Sequence, residues 1–257
     1  MAKHYSLNLY QNAIDSLNEG INFYKVSLDD ESKYKFCIII ITHFSELLLK
    51  HLVELQNPLL CYVEPYNSKI EDAKTITWWQ AVKILINCSI PVNPKLKDSM
   101  DRLSKLRNNI VHYKVDYNTT EIRKIILDVI DGLRNLYKNI TGKDFINDVL
   151  ESTRTILTTI EDEYTKELIL AQSEAKEEAD ETGAEISHCS ICGGDNTAIC
   201  KDEGEYYCYL CCETYEEVIC DRCGEKILLS DAYGLGESIE GDEGYLCEYC
   251  YDFYELE

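Results

Sequence analysis

Apolar residues recur at three- and four-residue intervals through most of the first 140 positions, which is the spacing of one face of an α-helix. Between residues 36 and 55, apolar side chains instead occur almost all round the helix, a pattern typical of the central helix of a bundle. The pattern predicts helices over residues 5–25, 31–56, 78–88, 94–112 and 119–137. We therefore expect a mainly α-helical bundle in residues 1–143.

A further helical stretch is predicted from Asp144 to about Glu181. Its apolar stripe is regular only as far as Ile160, and glutamate and alanine dominate its far end. Two interpretations fit this composition: a solvated spacer, or a coiled-coil segment or additional bundle helix. We assign residues 144–185 to a long acidic helix or linker that separates the bundle from the C-terminal part.

Residues 186–257 have a different character, because four Cys-x2-Cys pairs occur there. The pairs are Cys189/Cys192, Cys208/Cys211, Cys220/Cys223 and Cys247/Cys250. Zinc binds four thiolates in a tetrahedron, and two intervening residues let one tight turn present both sulfurs. Gly193 and Gly224 directly follow two of the pairs, where a left-handed backbone helps the turn to close. We expect these cysteines to hold two structural Zn2+ ions in a small double zinc-ribbon module, since four sulfurs leave no open position for water.

The four pairs can be combined into two sites in two ways. Gaps of 15 and 23 residues separate the first pair from the second and the third from the fourth, which favours sequential pairing. A cross-brace, joining the first pair to the third and the second to the fourth, is also compatible with the spacing. We expect Cys200 and Cys212 to be packed thiols and His188 to be a solvated neighbour of the site. The cysteines of the helical half are expected to be small core residues, namely Cys37, Cys61 and Cys88.

Charge is distributed unevenly between the two halves of the chain. Residues 1–145 contain 19 Lys and Arg and 17 Asp and Glu, whereas residues 146–257 contain 6 and 30, so the net charge of −22 comes from the C-terminal half. Such an acidic segment repels phosphate backbones, and any RNA is therefore expected to contact the helical half. The acidic residues serve either solubility or the binding of a protein partner.

Neither a signal peptide nor a membrane span is expected. The N-terminus has no apolar core, and no uninterrupted apolar run reaches the roughly 18 residues that a membrane span needs. We therefore expect a cytoplasmic protein that does not cross a membrane. Thirteen cysteines in such a protein indicate metal ligands or free thiols rather than a disulfide framework.

Near the end of the fourth predicted helix, Arg107 and His112 form an Arg-x4-His pair with Asn108 beside the arginine. Arginine binds phosphate with a planar, permanently charged fork, and histidine exchanges a proton near neutral pH. Cleavage of a phosphodiester through the ribose 2′-hydroxyl needs both phosphate binding and proton transfer, and it needs no metal. On one straight helix the two side chains point about 140° apart. Either the helix loosens near His112, or two copies meet across a two-fold axis in a homodimer.

A structural interpretation of this pair also exists. Arg107 could form an ion pair with Glu46 of the predicted central helix, and His112 could be a solvated residue at the negative end of a helix dipole. Under this interpretation neither side chain takes part in chemistry, and the pair supports the fold alone.

The segment Leu106–Tyr113, with the sequence LRNNIVHY, resembles the signature of the HEPN domain superfamily. The segment Glu46–Lys50, ELLLK, resembles the second helix of that family. The resemblance implies an up-and-down bundle of four or five helices, usually a homodimer. It also implies that Arg107 binds the scissile phosphate and His112 acts as the acid or base, and Asn108 matches a polar position often found after the arginine.

Many domains of this superfamily are metal-independent endoribonucleases of toxin–antitoxin, CRISPR or anti-phage defence systems, and some are inactive RNA-binding or scaffold versions. The resemblance therefore implies an endoribonuclease that acts as a toxin or antiviral defence effector. The acidic zinc module in residues 186–257 would then be a regulatory or partner-binding arm. The alternative is a non-catalytic adaptor or scaffold built from the same two parts.

Overall fold

The computed structural model describes residues 6–66, 73–112, 118–202, 204–237 and 243–254. Seven α-helices and seven β-strands lie in these parts of the chain, and every strand follows residue 185. The chain divides into two compact units. The first, the helical unit, comprises Met1–Tyr117 and Ile122–Asp162, and the second, the strand unit, comprises Asn118–Glu121 and Glu163–Glu257. The chain is thus mainly helical, as predicted, with a C-terminal strand region.

All five helices predicted in the first 143 residues are confirmed, with boundaries that differ by a few residues. They are α1 (Leu9–Ser27), α2 (Tyr34–Gln56), α3 (Trp78–Asn87), α4 (Pro94–His112) and α5 (Thr119–Thr141). The start of α1 is set by Asn8, whose Oδ1 accepts a hydrogen bond from the Gln11 backbone N–H at 2.8 Å. Asn8 and Gln11 at α1, and Thr77 and Gln80 at α3, each form a reciprocal capping box.

Helix α2 is the central helix of this unit and contacts α1, α3 and α4. Ile38, Ile41, Leu48 and Leu52 of α2 are fully buried. The approach of α1 is closest at Gly20, where an added Cβ would lie 2.6 Å from the Ile41 Cδ1 atom. Burial from several directions explains why α2 is apolar almost all round, as its sequence indicated.

By length and composition, Glu31–Gln56 also qualifies as a candidate membrane-spanning helix, with a mean hydropathy of 1.7 over 18 residues. Among the described residues it is the one helix that does so. Of that window, 61% is buried inside the protein, which is the behaviour of a core helix. That the chain does not cross a membrane stays a prediction.

The stretch after Asp144 does not continue directly as an α-helix. A 3-10 turn spans Phe145–Asp148, and α6 (Glu151–Thr182) begins after it. The break is anchored by the Asp144 carboxylate, which accepts a hydrogen bond from the Ile146 backbone N–H at 3.2 Å. The same carboxylate lies 2.6 Å from Arg134 Nη2, so local bonding holds the chain in a turn.

The far half of α6 packs within the strand unit. Ala171 and Ala175, which continue the apolar stripe of this helix beyond Ile160, are buried. Gln172 Nε2 donates a hydrogen bond to the carbonyl oxygen of Asp195 at 2.8 Å. The far half of α6 is therefore a packed element of its own unit, and the solvated-spacer interpretation is wrong.

The strand unit contains two antiparallel sheets. Five strands follow one another in the order β1 (Ile186–Ser187), β2 (Ala198–Asp202), β3 (Glu205–Cys208), β4 (Thr214–Ile219) and β5 (Lys226–Leu228). A two-stranded sheet follows, made of β6 (Tyr233–Glu237) and β7 (Glu243–Leu246), and then α7 (Glu248–Tyr254). The first three Cys-x2-Cys pairs lie in or beside turns between these short strands, whereas Cys247 follows β7 and Cys250 lies on α7.

Candidate metal centres and the arginine–histidine segment

The first two Cys-x2-Cys pairs come together in a single cluster. Its members are Cys189, Cys192, Cys208 and Cys211, all buried, with every sulfur within 4.8 Å of the others. The sulfur atoms of Cys189 and Cys211 are 3.7 Å apart, and those of Cys192 and Cys208 are 3.8 Å apart. Four bonds of about 2.3 Å in a tetrahedron separate zinc-bound sulfurs by about 3.8 Å. The cluster therefore has the dimensions to hold one metal ion.

The last two pairs form a second cluster of the same kind. Its members are Cys220, Cys223, Cys247 and Cys250, again with all sulfurs within 4.8 Å. The sulfurs of Cys223 and Cys247 are 3.9 Å apart. Cys220 and Cys250 are buried, whereas Cys223 is exposed. Both clusters combine pairs that are sequential along the chain, so the described geometry is not a cross-brace.

The turn after each of the first three pairs has a left-handed backbone. Gly193 has φ of 69° and Gly224 has φ of 73°, as the sequence indicated for these glycines. Their backbone N–H groups donate to the carbonyl of the first cysteine of the pair, at 2.7 and 2.8 Å. Cys212 takes the same place after the second pair, with φ of 58°, although it is not a glycine. The left-handed residue turns the chain so that both sulfurs of a pair face one point.

In the first cluster, hydrogen bonds to sulfur favour the thiolate of Cys208. The Leu210 backbone N–H donates to the Cys208 sulfur at 3.3 Å, and the Thr197 hydroxyl also lies 3.3 Å from it. Hydrogen bonds from neighbouring sulfurs, that of Cys189 above all, lower the pKa of the Cys208 thiol. Thr197 is fully buried, and the sequence carried no signal for its role.

In the second cluster, backbone groups stabilise the Cys220 thiolate. The Cys247 backbone N–H donates to the Cys220 sulfur at 3.4 Å. Burial acts to raise the pKa of the Cys220 thiol, but hydrogen bonds from the backbones of Cys247, Cys223 and Arg222 lower it to about 6. A thiol with this pKa is deprotonated at neutral pH, which is the state that a metal ion binds.

Three residues outside the clusters differ from expectation. Cys212 is exposed and Cys200 is half-buried, so neither is the packed thiol that was predicted. Cys212 is exposed because its position serves the turn rather than a core. Cys88 is also exposed, because α3 ends at Asn87 and the chain turns away there. His188 is exposed, as expected, and Cys37 and Cys61 are buried in the helical unit.

The arginine–histidine segment lies on the last turns of α4 and faces solvent. Arg107, Asn108 and His112 are all exposed, while Leu103, one helical turn before Arg107, is buried. Arg107 Nη1 donates a hydrogen bond to Asn108 Oδ1 at 2.9 Å. Tyr113 lies outside the described residues.

The structure bears on both interpretations of this segment. No ion pair joins Arg107 to Glu46, although the structure describes both residues, so that structural role for Arg107 is not found. Helix α4 remains α-helical as far as His112. The helix therefore does not loosen between the two residues, and Arg107 and His112 of one chain diverge by about 140°.

Comparisons with known proteins add no relationship to this geometry. A scan against protein-family models, a search of curated proteins and a search of solved structures each returned no match. The two cysteine clusters and the exposed groups of α4 are therefore the features from which a function can be inferred.

Proposed function

We propose that the helical unit is a HEPN-type, metal-independent endoribonuclease and that the protein is a toxin or anti-phage defence effector. The observation that carries this proposal is the exposure of Arg107, Asn108 and His112 on one helix. Among the described residues, no carboxylate pairs with Arg107, so its charge remains available to a phosphate. In this proposal α1 to α5 are the helices of an up-and-down HEPN bundle.

In the proposed reaction, His112 removes the proton of the ribose 2′-hydroxyl or protonates the leaving 5′-oxygen. The 2′-oxygen attacks phosphorus as the bond to the 5′-oxygen breaks, and the product carries a 2′,3′-cyclic phosphate. Arg107 stabilises the negative charge that accumulates on the phosphate oxygens. Asn108, which accepts a hydrogen bond from Arg107, holds the guanidinium in place.

A homodimer completes this proposed site. Because Arg107 and His112 of one chain diverge on a straight helix, a second copy of α4 across a two-fold axis would supply the other histidine. One groove would then contain two arginines and two histidines, with one histidine as base and the other as acid.

We further propose that both cysteine clusters bind zinc with a structural role, because four thiolates with short spacing suit Zn2+ and leave no site for water. The two clusters would then form zinc ribbons. The acidic charge around them repels RNA and favours a protein partner with basic residues. The zinc module would in this way regulate the helical unit rather than take part in cleavage.

An RNA cleavage assay with matched variants tests the proposed activity. His112→Ala should lower the cleavage rate by roughly 10²–10⁴-fold, and Arg107→Ala by a comparable roughly 10²–10³-fold. His43→Ala removes another exposed histidine, on α2, and should cleave as wild type does. EDTA should not stop cleavage promptly, and light scattering should show a dimer. If His112→Ala cleaves as fast as wild type, the non-catalytic adaptor interpretation replaces the endoribonuclease.

A further inference from the structure

Helices α3 and α4 enclose an open groove in the helical unit, with a cavity volume of about 570 Å³. Both tryptophans of the chain, Trp78 and Trp79, line it. Three basic residues line it as well, namely Lys83, Lys97 and Arg102. The groove therefore combines aromatic surface with positive charge, on the helix that also carries the arginine–histidine segment.

The two tryptophans differ in their packing. Trp78 is half-buried and packs against the hydrophobic core of the helical unit. Trp79 is 45% exposed, and Ile86, which also lines the groove, is 46% exposed. Trp79 is therefore not needed to fill the core, and its indole ring is presented to the solvent.

The ring of Trp79 is accompanied by a cation. Lys83 Nζ lies 4.7 Å from the centroid of the Trp79 ring. Aromatic rings flanked by lysine or arginine are the surface on which bases of single-stranded nucleic acids stack, while the cations contact the adjoining phosphates. Stacking on such a ring accepts any base, because every base has a π-face.

The charges of the groove favour a polyanion. Asp98 and Asp101 line the groove beside the three basic residues. Asp101 is paired with Lys105, whose Nζ lies 3.3 Å from its carboxylate. With this lysine included, four cations stand against two carboxylates, so the surface is positive in sum. A phosphate backbone complements this surface better than a basic peptide does.

Helix periodicity connects the groove to the arginine–histidine segment. Lys97, Lys105, Asn108 and His112 lie within about 80° of one another on α4. Lys97 and His112 are fifteen residues apart, which is about 22 Å along the helix axis. A strand bound in the groove can therefore follow one face of α4 to His112.

We propose that this groove binds single-stranded RNA, with a base stacked on Trp79 and neighbouring phosphates held by Lys83 and Lys97. The groove would hold part of the substrate away from the bond that is cut. This role rests on the proposed endoribonuclease function for the identity of the ligand, but binding is measurable without cleavage.

Intrinsic fluorescence tests the groove directly, because Trp78 and Trp79 are the only tryptophans of the chain. A 2′-O-methyl single-stranded RNA oligonucleotide cannot be cleaved through its 2′-hydroxyls, and it should quench this fluorescence when it binds the full-length protein. With a labelled oligonucleotide in an anisotropy assay, Trp79→Ala should weaken binding by roughly 5- to 100-fold. Trp79→Phe should retain part of the affinity, and Lys83→Glu should weaken binding and reduce its dependence on salt.

Tyr66→Ala is the matched control, because Tyr66 is an aromatic residue of the same unit that is 84% exposed and lies outside the groove. It should bind the oligonucleotide as wild type does. Equal affinity of the wild type and Trp79→Ala, or an equal loss in Tyr66→Ala, overturns the proposal. Binding through Trp79 without any cleavage of ordinary RNA retains the groove and rejects the endoribonuclease. If Trp79→Ala cleaves RNA and binds the oligonucleotide as wild type does, the endoribonuclease is retained and the groove is rejected as a binding site.

Discussion

Cys212 holds a position that glycine occupies in two related turns of the strand unit. Its φ of 58° lies in the left-handed region, as do the φ angles of Gly193 and Gly224. A residue with a Cβ pays a steric cost for this conformation, and glycine does not. The side chain of Cys212 is exposed and belongs to neither sulfur cluster.

Cys212→Gly is therefore expected to stabilise the zinc-loaded protein by roughly 0.5–1 kcal/mol, because it removes the strain of a left-handed cysteine. Denaturant unfolding of the metal-loaded protein measures the change. Cys200→Ser, which alters another cysteine outside the clusters, should leave the free energy of unfolding nearly unchanged. Loss of a metal ion in Cys212→Gly would show that Cys212 is a ligand and would contradict the assignment.

Asp144 forms ion pairs with two basic residues of α5, Arg134 and Lys138. Hydrogen bonds from Arg134, supported by Lys138, hold the pKa of the Asp144 carboxyl well below its ordinary value of 3.8. The contribution of Asp144 to stability is therefore complete above about pH 4. It is lost as the pH falls from there toward the lowered pKa of the folded state.

Asp144→Asn should lower the free energy of unfolding by roughly 1–3 kcal/mol at neutral pH, because a charged hydrogen-bond acceptor is lost. The difference between variant and wild type should shrink as the pH falls below 4, since the Asp144 carboxyl of the unfolded wild-type chain is then protonated while that of the folded chain is still ionised. Urea titrations at several pH values measure this difference in the free energy of unfolding. Asp148→Asn is not a suitable control, since Asp148 accepts a hydrogen bond from Tyr10. The exposed Asp15→Asn, on α1, should leave the free energy of unfolding nearly unchanged. A difference that is constant with pH would contradict this account.

At the scale of elements, α4 packs closely against α5 at Gly132. An added Cβ at Gly132 of α5 would lie 3.0 Å from the Cβ and 2.9 Å from the Cδ1 of Leu96 on α4. Leu96 is 2% exposed, and its Cβ cannot move without the helix backbone. The glycine therefore allows the two helices to approach closely.

Gly132→Ala should destabilise the protein by roughly 1–3 kcal/mol through overpacking. This outweighs the gain in helix propensity of about 1 kcal/mol that the same change provides at a solvent-facing site. Thermal unfolding compares it with Asn139→Ala, an exposed substitution on the same helix that should be neutral or slightly stabilising. A more stable Gly132→Ala protein would mean that α4 and α5 are less closely packed than described.

For the whole molecule, the two clusters predict the metal content and its response to mutation. The wild-type chain should contain two zinc ions, and Cys189→Ser and Cys220→Ser should each contain about one. The reason is that each cluster takes both of its pairs from one contiguous part of the chain. Elemental analysis of the purified variants measures this, with Cys88→Ser, outside both clusters, expected to retain two. Loss of both ions in Cys189→Ser would indicate shared rather than separate sites.

Local features of the chain were predictable because their signals lie in neighbouring residues. Helix periods, the capping residue Thr77, the Cys-x2-Cys turns and the left-handed glycines after them all depend on groups within a few positions. The break after Asp144 was not predicted, because it depends on Arg134, ten residues away, which holds the carboxylate that also accepts from the Ile146 N–H. A hydrophobic pattern does not report such an ion pair.

The sequence by itself determined that the chain is mainly helical, that a cysteine-rich region follows, and which eight cysteines are candidate ligands. These properties follow from periodicity and from short-range spacing, which a single chain segment contains in full. The tertiary structure alone decided that the pairs group sequentially, that Thr197 lies against the Cys208 sulfur, and that α3 and α4 form a groove lined by Trp79. Each of these depends on the approach of residues that are distant along the chain, and spacing alone leaves that approach open.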